Sequence, residues 1–247
     1  MSQRPTIVLV HGAFAESASW NPVIERLRHY GTTLISGSRN ACDIVAVANP
    51  LRSLAGDGAY VRDVIAGIGG PVLLVGHSYG GMVITEAAAD NDAVVGLVYV
   101  AAFMPDTGES AFELSTRFPG STLGDALTAY PVSSGGEEFV IRQDLFHAQF
   151  AADVPAEQAA VMAVTQRPVT AAALSDGLPT ASPAWTSIPS WCVYGSEDRN
   201  IPADLIRSLA DRASAKVARQ VVGGSHAISV SRPDEVAATI LDAYATL

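Results

Sequence analysis

Pro71-Val-Leu-Leu-Val-Gly-His-Ser-Tyr-Gly-Gly-Met82 decides how the chain folds. Residues 72–75 are apolar and follow Gly69-Gly70-Pro71, the pattern of a strand buried on both faces. Gly76-His77-Ser78-Tyr79-Gly80 then matches G-x-S-x-G, and a helical stretch follows over 81–89. Strand, tight glycine-flanked turn and helix form the context in which this motif lifts a serine hydroxyl clear of a sheet. Ser78 is therefore the candidate nucleophile.

Working outward, residues 6–10 form an earlier apolar strand that ends at His11-Gly12-Ala13-Phe14. Ser19 is placed to cap a helix over 20–29. Residues 31–42 are rich in turn formers and read as a surface excursion, with a short extended piece at 33–35. A strand at 44–48 and a helix over 58–68, capped by Asp57, precede the Ser78 strand. A fourth strand covers 94–102. Strands alternating with helices over short connections predict a parallel, doubly wound α/β sheet with right-handed crossovers.

The rhythm breaks between Asp106 and Ser187, where no long strand is evident and prolines separate helical stretches near 111–117, 137–150, 156–164 and 170–174. It resumes with a strand at 189–195, a helix over 203–213, a strand at 217–222 and a helix over 233–244. The expected architecture is a mainly parallel sheet of about six strands. Its core spans 1–105 and 188–247, with a helical lid at 106–187 inserted after the fourth strand.

Composition bounds the function. The 247 residues are 49% hydrophobic and 16% charged, enough to fill a sizeable core. A net charge of −10, from 15 basic and 25 acidic residues, argues against nucleic acid or an anionic membrane as partner. The longest apolar run, 93–104, is too short to span a bilayer. The N-terminus runs straight into a strand without the apolar core of a signal peptide, so a cytoplasmic location is the expectation. Cys42 and Cys192 lie far apart, and Cys192, inside an apolar strand, is expected as a buried free thiol. The five histidines are scattered without metal-ligand spacing, and no nucleotide-binding glycine motif occurs, so chemistry without metal or cofactor is expected.

A serine hydroxyl is a poor nucleophile at neutral pH and needs a general base, itself oriented by a third group. His226 follows a strand in Gly223-Gly224-Ser225-His226 and is the expected base. For the acid, Asp198 lies just beyond the strand ending at Gly195, and Asp106, after the fourth strand, is its rival. An oxyanion hole needs two backbone N–H groups, expected from Tyr79 and Ala13. His11 and His77, at strand ends beside glycines, read as turn-holding residues that bond loop carbonyls.

Together, His11-Gly12-Ala13, Gly76-His77-Ser78-Tyr79-Gly80-Gly81, Gly195-x-x-Asp198 and Gly224-Ser225-His226 resemble the α/β-hydrolase superfamily over essentially the whole chain. The nearest group is the small bacterial hydrolases akin to plant methylesterases and hydroxynitrile lyases. That resemblance implies a Ser78–His226–Asp198 triad with Ala13 and Tyr79 as oxyanion donors. It implies a carboxylesterase acting through an acyl-enzyme on small to medium apolar esters. Lyase chemistry on the same triad and a small-molecule receptor with a slow triad are the alternatives. Hydroxynitrile lyases of this kind carry a lysine directly after the catalytic histidine, where this chain has Ala227. Phe14, Phe103, Phe146, His147 and Trp185 are candidate pocket residues. The expected partner is a small-molecule ester, with neither nucleic acid nor membrane, and association as a homodimer stays open.

Overall fold

The computed structural model of the chain describes residues 3–33, 42–133 and 135–247. Strand β1 (Thr6–Val10) leads through a 3-10 turn at Ser17–Trp20 into helix α1 (Asn21–Thr33). Ser19 does not cap α1; its hydroxyl donates to Glu16 O at 2.6 Å and closes the preceding turn. The helix passes through Gly31, at a cost of about 1 kcal/mol relative to alanine. It takes in residues 31–33, so Thr33 is helical; the rest of the expected extended piece and excursion, 34–41, lies outside the described residues. Strand β2 (Ile44–Val47), helix α2 (Leu54–Ile68), strand β3 (Val72–His77), helix α3 (Gly80–Ala88) and strand β4 (Val94–Val100) follow. Ser53, not Asp57, caps α2: its Oγ accepts from Gly56 N at 3.2 Å. Buried Leu54 thus joins the first turn, and Asp57 points into the protein.

The stretch after β4 is not purely helical. It holds α4 (Ala111–Thr116), α5 (Leu123–Ala126), β5 (Leu127–Pro131), β6 (Glu137–Ile141), α6 (Gln143–Phe150), α7 (Ala156–Thr165), β7 (Val169–Thr170) and α8 (Ala171–Ser175). The three strands form their own antiparallel sheet, in the order β5-β6-β7. A single helix over 137–150 is replaced by β6 and then α6. Phe139, Val140 and Ile141 supply the aromatic and β-branched character that suits a strand, and they find partners in residues 127–129.

The alternation closes with β8 (Ser190–Gly195), α9 (Ala203–Arg212), β9 (Val217–Val221), α10 (Ile228–Ser231) and α11 (Pro233–Thr246). Six strands make one sheet in the order β2-β1-β3-β4-β8-β9, and every neighbouring pair is parallel. Helices cover both faces, as β3 makes plain. Val72 and Leu74 pack on the side of Val61, Ile65 and Val83, while Leu73 and Val75 pack with Trp20, Val23 and Ile240. Each such side chain, fully buried, contributes roughly 1.5–3 kcal/mol. A parallel sheet also ends all its strands on one edge. The loops after β1, β3, β8 and β9 therefore bring residues 11–14, Ser78, Asp198 and His226 to the same side of the molecule.

Polar clasps join the inserted stretch to the sheet. Arg212 on α9 donates to both oxygens of Glu109, at 2.8 and 2.7 Å, and Arg117 meets the same carboxylate at 2.7 Å. Arg167 pairs with Glu16 in the loop after β1 at 3.2 Å, and Leu54 N donates to Asp176 Oδ2 at 3.2 Å. Burial alone would raise the Glu109 pKa, but the Arg212 bonds, the Asp106 amide and Arg117 outweigh it and hold the value at about 2. Its stabilising contribution is thus complete above the unfolded value of 4.5 and lost as pH falls through 2. Urea denaturation of the wild type and Glu109→Gln should show a stability gap at neutral pH that closes as pH is lowered through this window. A gap just as wide at pH 2 would contradict the clasp.

Candidate active site

Ser78 sits between the end of β3 and the start of α3 with a left-handed backbone, φ 56°. Such a conformation costs a non-glycine residue of order 1–3 kcal/mol and persists only where its surroundings enforce it. Here Ser78 N donates to Val100 O at 3.2 Å, and Ser78 O accepts from Gly81 N at 2.9 Å. The turn is tight enough that a Cβ at Gly76 would lie 2.5 Å from Gly80 O, which only glycine avoids. Ser78 is 7% exposed.

His226 lies in the loop after β9 and Asp198 in the loop after β8. Their rings and carboxylates meet at 2.7 Å, His226 Nδ1 to Asp198 Oδ2, with both side chains almost fully buried. The other carboxylate oxygen, Oδ1, accepts from Asn200 N at 2.8 Å and Ile201 N at 2.9 Å. The acid is therefore seated by the turn it belongs to. Because a carboxylate accepts, Nδ1 carries the proton and Nε2 is left as the basic nitrogen. Asp106 goes elsewhere: its Oδ1 accepts from Thr107 N at 2.8 Å. Phe150 sits edge-on to the His226 ring at 4.9 Å, and its carbonyl accepts from Ala227 N at 3.1 Å.

The two remaining histidines of this edge are structural in their contacts. His77 Nε2 donates to His226 O at 3.0 Å, tying the loop of His226 to the residue before Ser78. Burial, and then the neighbouring His226, push the His77 pKa down to about 3, so its ring stays neutral. His11 Nδ1 donates to Gly12 O at 2.9 Å, and burial lowers its pKa as well. Both hold turns by bonding loop carbonyls.

The loop after β1 closes over the serine. A Cβ on Gly12 would stand 2.6 Å from Ser78 Cβ and 3.0 Å from Tyr79 N, so the two loops are in direct contact. Among the described residues the amides of Ala13 and Tyr79 have no intramolecular acceptor. Behind Tyr79 is a pair that sequence inspection missed. The Tyr79 hydroxyl donates to buried Asp57 Oδ2 at 2.9 Å, and Arg52 N donates to Oδ1 at 3.1 Å. Desolvation raises the pKa of both groups, and the carboxylate raises that of the tyrosine further. Reading Asp57 as a helix cap concealed this role.

A cavity of about 370 Å³ opens over Ser78. Ala13, Phe14, Tyr79 and Phe103 form its wall on the sheet side, with Asn200 and Ile201 beside them. Residues 111–127 of the inserted stretch supply most of the rest, including Phe112, Phe118 and Leu123. Of the expected pocket residues, Phe14 and Phe103 line this cavity, and Phe146, His147 and Trp185 do not. Phe146 is fully buried against Phe150, ring to ring at 5.0 Å. His147 Nε2 donates to Val154 O at 2.9 Å, closing a turn after α6. The Trp185 indole donates to Pro105 O at 2.7 Å, and Arg212 lies 5.6 Å over its ring. Phe118 and Leu123 were overlooked because they flank Pro-Gly-Ser-Thr in a loop without periodicity. His226 is 1% exposed and does not line the cavity, whereas Ala13, Ser78 and Tyr79 do.

Among the described residues no group of three His, Cys, Asp or Glu side chains is arranged to hold a metal ion. Cys42 and Cys192 are buried free thiols. No helix among those residues is long and apolar enough to cross a membrane.

Known proteins resemble this chain. An α-hydroxynitrile lyase of Arabidopsis thaliana is 26% identical over 96% of this chain and 95% of its own length. A carbendazim-hydrolysing esterase of Nocardioides sp. strain SG-4G is 35% identical, over 43% of this chain and 46% of its own. The crystal structure of polyneuridine aldehyde esterase superposes with a TM-score of 0.79 at 20% identity, covering 98% of this chain and 99% of that one. The family description "Alpha/beta hydrolase family" matches residues 7–239. With its parallel six-stranded sheet and the serine turn after β3, the chain belongs to the alpha/beta hydrolase family.

Proposed function

We propose that the protein is a serine carboxylesterase working through an acyl-enzyme, with Ser78 as nucleophile, His226 as base and Asp198 as acid. The buried 2.7 Å contact between His226 Nδ1 and Asp198 Oδ2 is the observation that carries this reading. It holds the imidazole in the tautomer whose Nε2 can take the Ser78 proton. Ser78 Oγ then bonds to the ester carbonyl carbon, and the carbonyl oxygen becomes an oxyanion facing the Ala13 and Tyr79 amides. As the C–O bond breaks, His226 returns the proton to the departing alcohol, and Asp198 stabilises the imidazolium meanwhile. Water, deprotonated by the same ring, releases the acid and restores Ser78.

In this reading residues 106–187 act as a lid, 1–105 and 188–247 form the catalytic core, and the enzyme works in the cytoplasm. The substrate is a small to medium, uncharged and mostly apolar ester. A cavity of about 370 Å³ suits that size, and among the described residues Asp125 is the one charged side chain in its wall. A carboxylate on the substrate would meet that charge and no compensating cation. The carbendazim-hydrolysing relative is an esterase by name, which agrees with this class of chemistry.

The lyase relative favours a second reading, cyanohydrin cleavage on the same residues. Departing cyanide would need a cation beside His226. Ala227 stands next in the chain, while the single lysine, Lys216, lies 5.2 Å over the Trp191 ring. Ester cleavage with no cyanohydrin cleavage in parallel assays separates the two.

Two outcomes test the esterase. With p-nitrophenyl acetate, nitrophenol should appear in a burst matching the number of active sites, and Ser78→Ala should lose turnover by a factor on the order of 10³ or more. Wild-type turnover in that variant would refute the reading. Second, a neutral ester should be cleaved with higher kcat/KM than its isosteric partner bearing a carboxylate, and Asp125→Asn should narrow the difference. Equal treatment of the two esters by the wild type would remove the substrate assignment.

A further inference from the structure

Gln149 lies on α6 in the inserted stretch, 7% exposed, and takes no part in the acyl-transfer steps above. Its carboxamide is nonetheless engaged at both ends. Oε1 accepts from Thr122 Oγ1 at 2.8 Å, while Nε2 donates to Arg199 O at 2.9 Å and to Asn200 Oδ1 at 2.8 Å. The orientation follows from chemistry, because the Arg199 carbonyl can only accept and must face the NH₂ end. Thr122 N donates to that same carbonyl at 3.0 Å.

The partners of Gln149 belong to two different parts of the site. Thr122 is in the cavity wall formed by residues 111–127. Arg199 and Asn200 belong to the turn that seats the acid, where Asn200 N donates to Asp198 Oδ1. Asn200 also lines the cavity. One buried side chain from a third element thus joins the wall a substrate touches to the turn that fixes Asp198.

We propose that Gln149 is a positioning residue, coupling the cavity wall at Thr122 to the geometry of Asp198 and, through it, His226. The proposal rests on the esterase reading above. An ordinary buried amide would tie down loops and influence only folding. A coupling residue acts on turnover in molecules that are fully folded, because a small displacement of a catalytic group has a large effect on rate.

The test uses Gln149→Met, which keeps the length and removes all three hydrogen bonds, and Gln149→Asn, which keeps the amide but cannot span the gap. Active sites are counted by stoichiometric labelling with a p-nitrophenyl phosphonate, so unfolded molecules do not enter the result. The substrates are p-nitrophenyl acetate and hexanoate. We expect kcat per labelled site to fall about tenfold or more for both esters, and KM to rise only for the hexanoate, which reaches the Thr122 wall. Wild-type kcat per labelled site in either variant overturns the proposal, as does a rise in hexanoate KM without a fall in kcat. Ser78→Ala, run alongside, separates the two levels. If it stays active the esterase reading itself fails, and if it is inactive while Gln149→Met turns over normally, only the coupling fails.

Discussion

The hydrogen bond between His226 and Asp198 is the contact on which the site depends. A carboxylate with its side chain wholly out of water carries a large desolvation cost. That cost is offset locally by three donors, the His226 ring and the amides of Asn200 and Ile201. Hydrogen bonds to a charged group are worth about 1.5–3 kcal/mol each, so together they outweigh what a lone contact could. The sheet order makes this possible. Strands β8 and β9 are neighbours and parallel, so the loops carrying the two residues leave the same edge side by side. Glu197 N donates to Gly224 O at 2.9 Å and ties one loop to the other.

From that pair the constraints spread outward. His77 holds the carbonyl of His226 and precedes Ser78, so the base loop and the serine turn are fastened across the sheet. Phe150 closes over the imidazole from α6. The inserted stretch therefore packs against the His226 ring as well as forming cavity wall. Its partly buried ion pairs with the core, Arg212–Glu109 and Arg167–Glu16, fasten it there. Phe146, Phe150 and Ala151 are buried in the core cluster and add apolar attachment.

Most of the sheet was legible in the sequence because fully buried parallel strands are continuous apolar runs bounded by glycine and proline. The Ser78 and His226 candidates stood out for a different reason: each lies in a glycine-rich turn after a strand, although β9, with Arg219 and Gln220 inside it, is only partly buried. Asp198 and Asp106 both stand at strand ends, and only in the folded chain is it visible that Asp198 meets His226 while Asp106 bonds Thr107 N. The small antiparallel sheet was not legible. Residues 127–131 are largely solvent-facing, so they lack the apolar alternation that marks a strand, and β7 is only two residues long. Asp57 and Gln149 were hidden as well. Each is a buried polar residue whose partners lie far along the chain, and no local pattern announces such a contact.

The central claim is that Asp198, and not Asp106, orients the base. Turnover of a neutral p-nitrophenyl ester by Asp198→Asn and Asp106→Asn, normalised to labelled active sites, tests it most directly. An asparagine at 198 accepts less strongly and favours the wrong imidazole tautomer, so kcat should fall by roughly 10³–10⁴. Asp106→Asn, which changes a turn away from His226, should keep wild-type kcat. Near-normal turnover in Asp198→Asn, or a comparable loss in Asp106→Asn, would contradict the account.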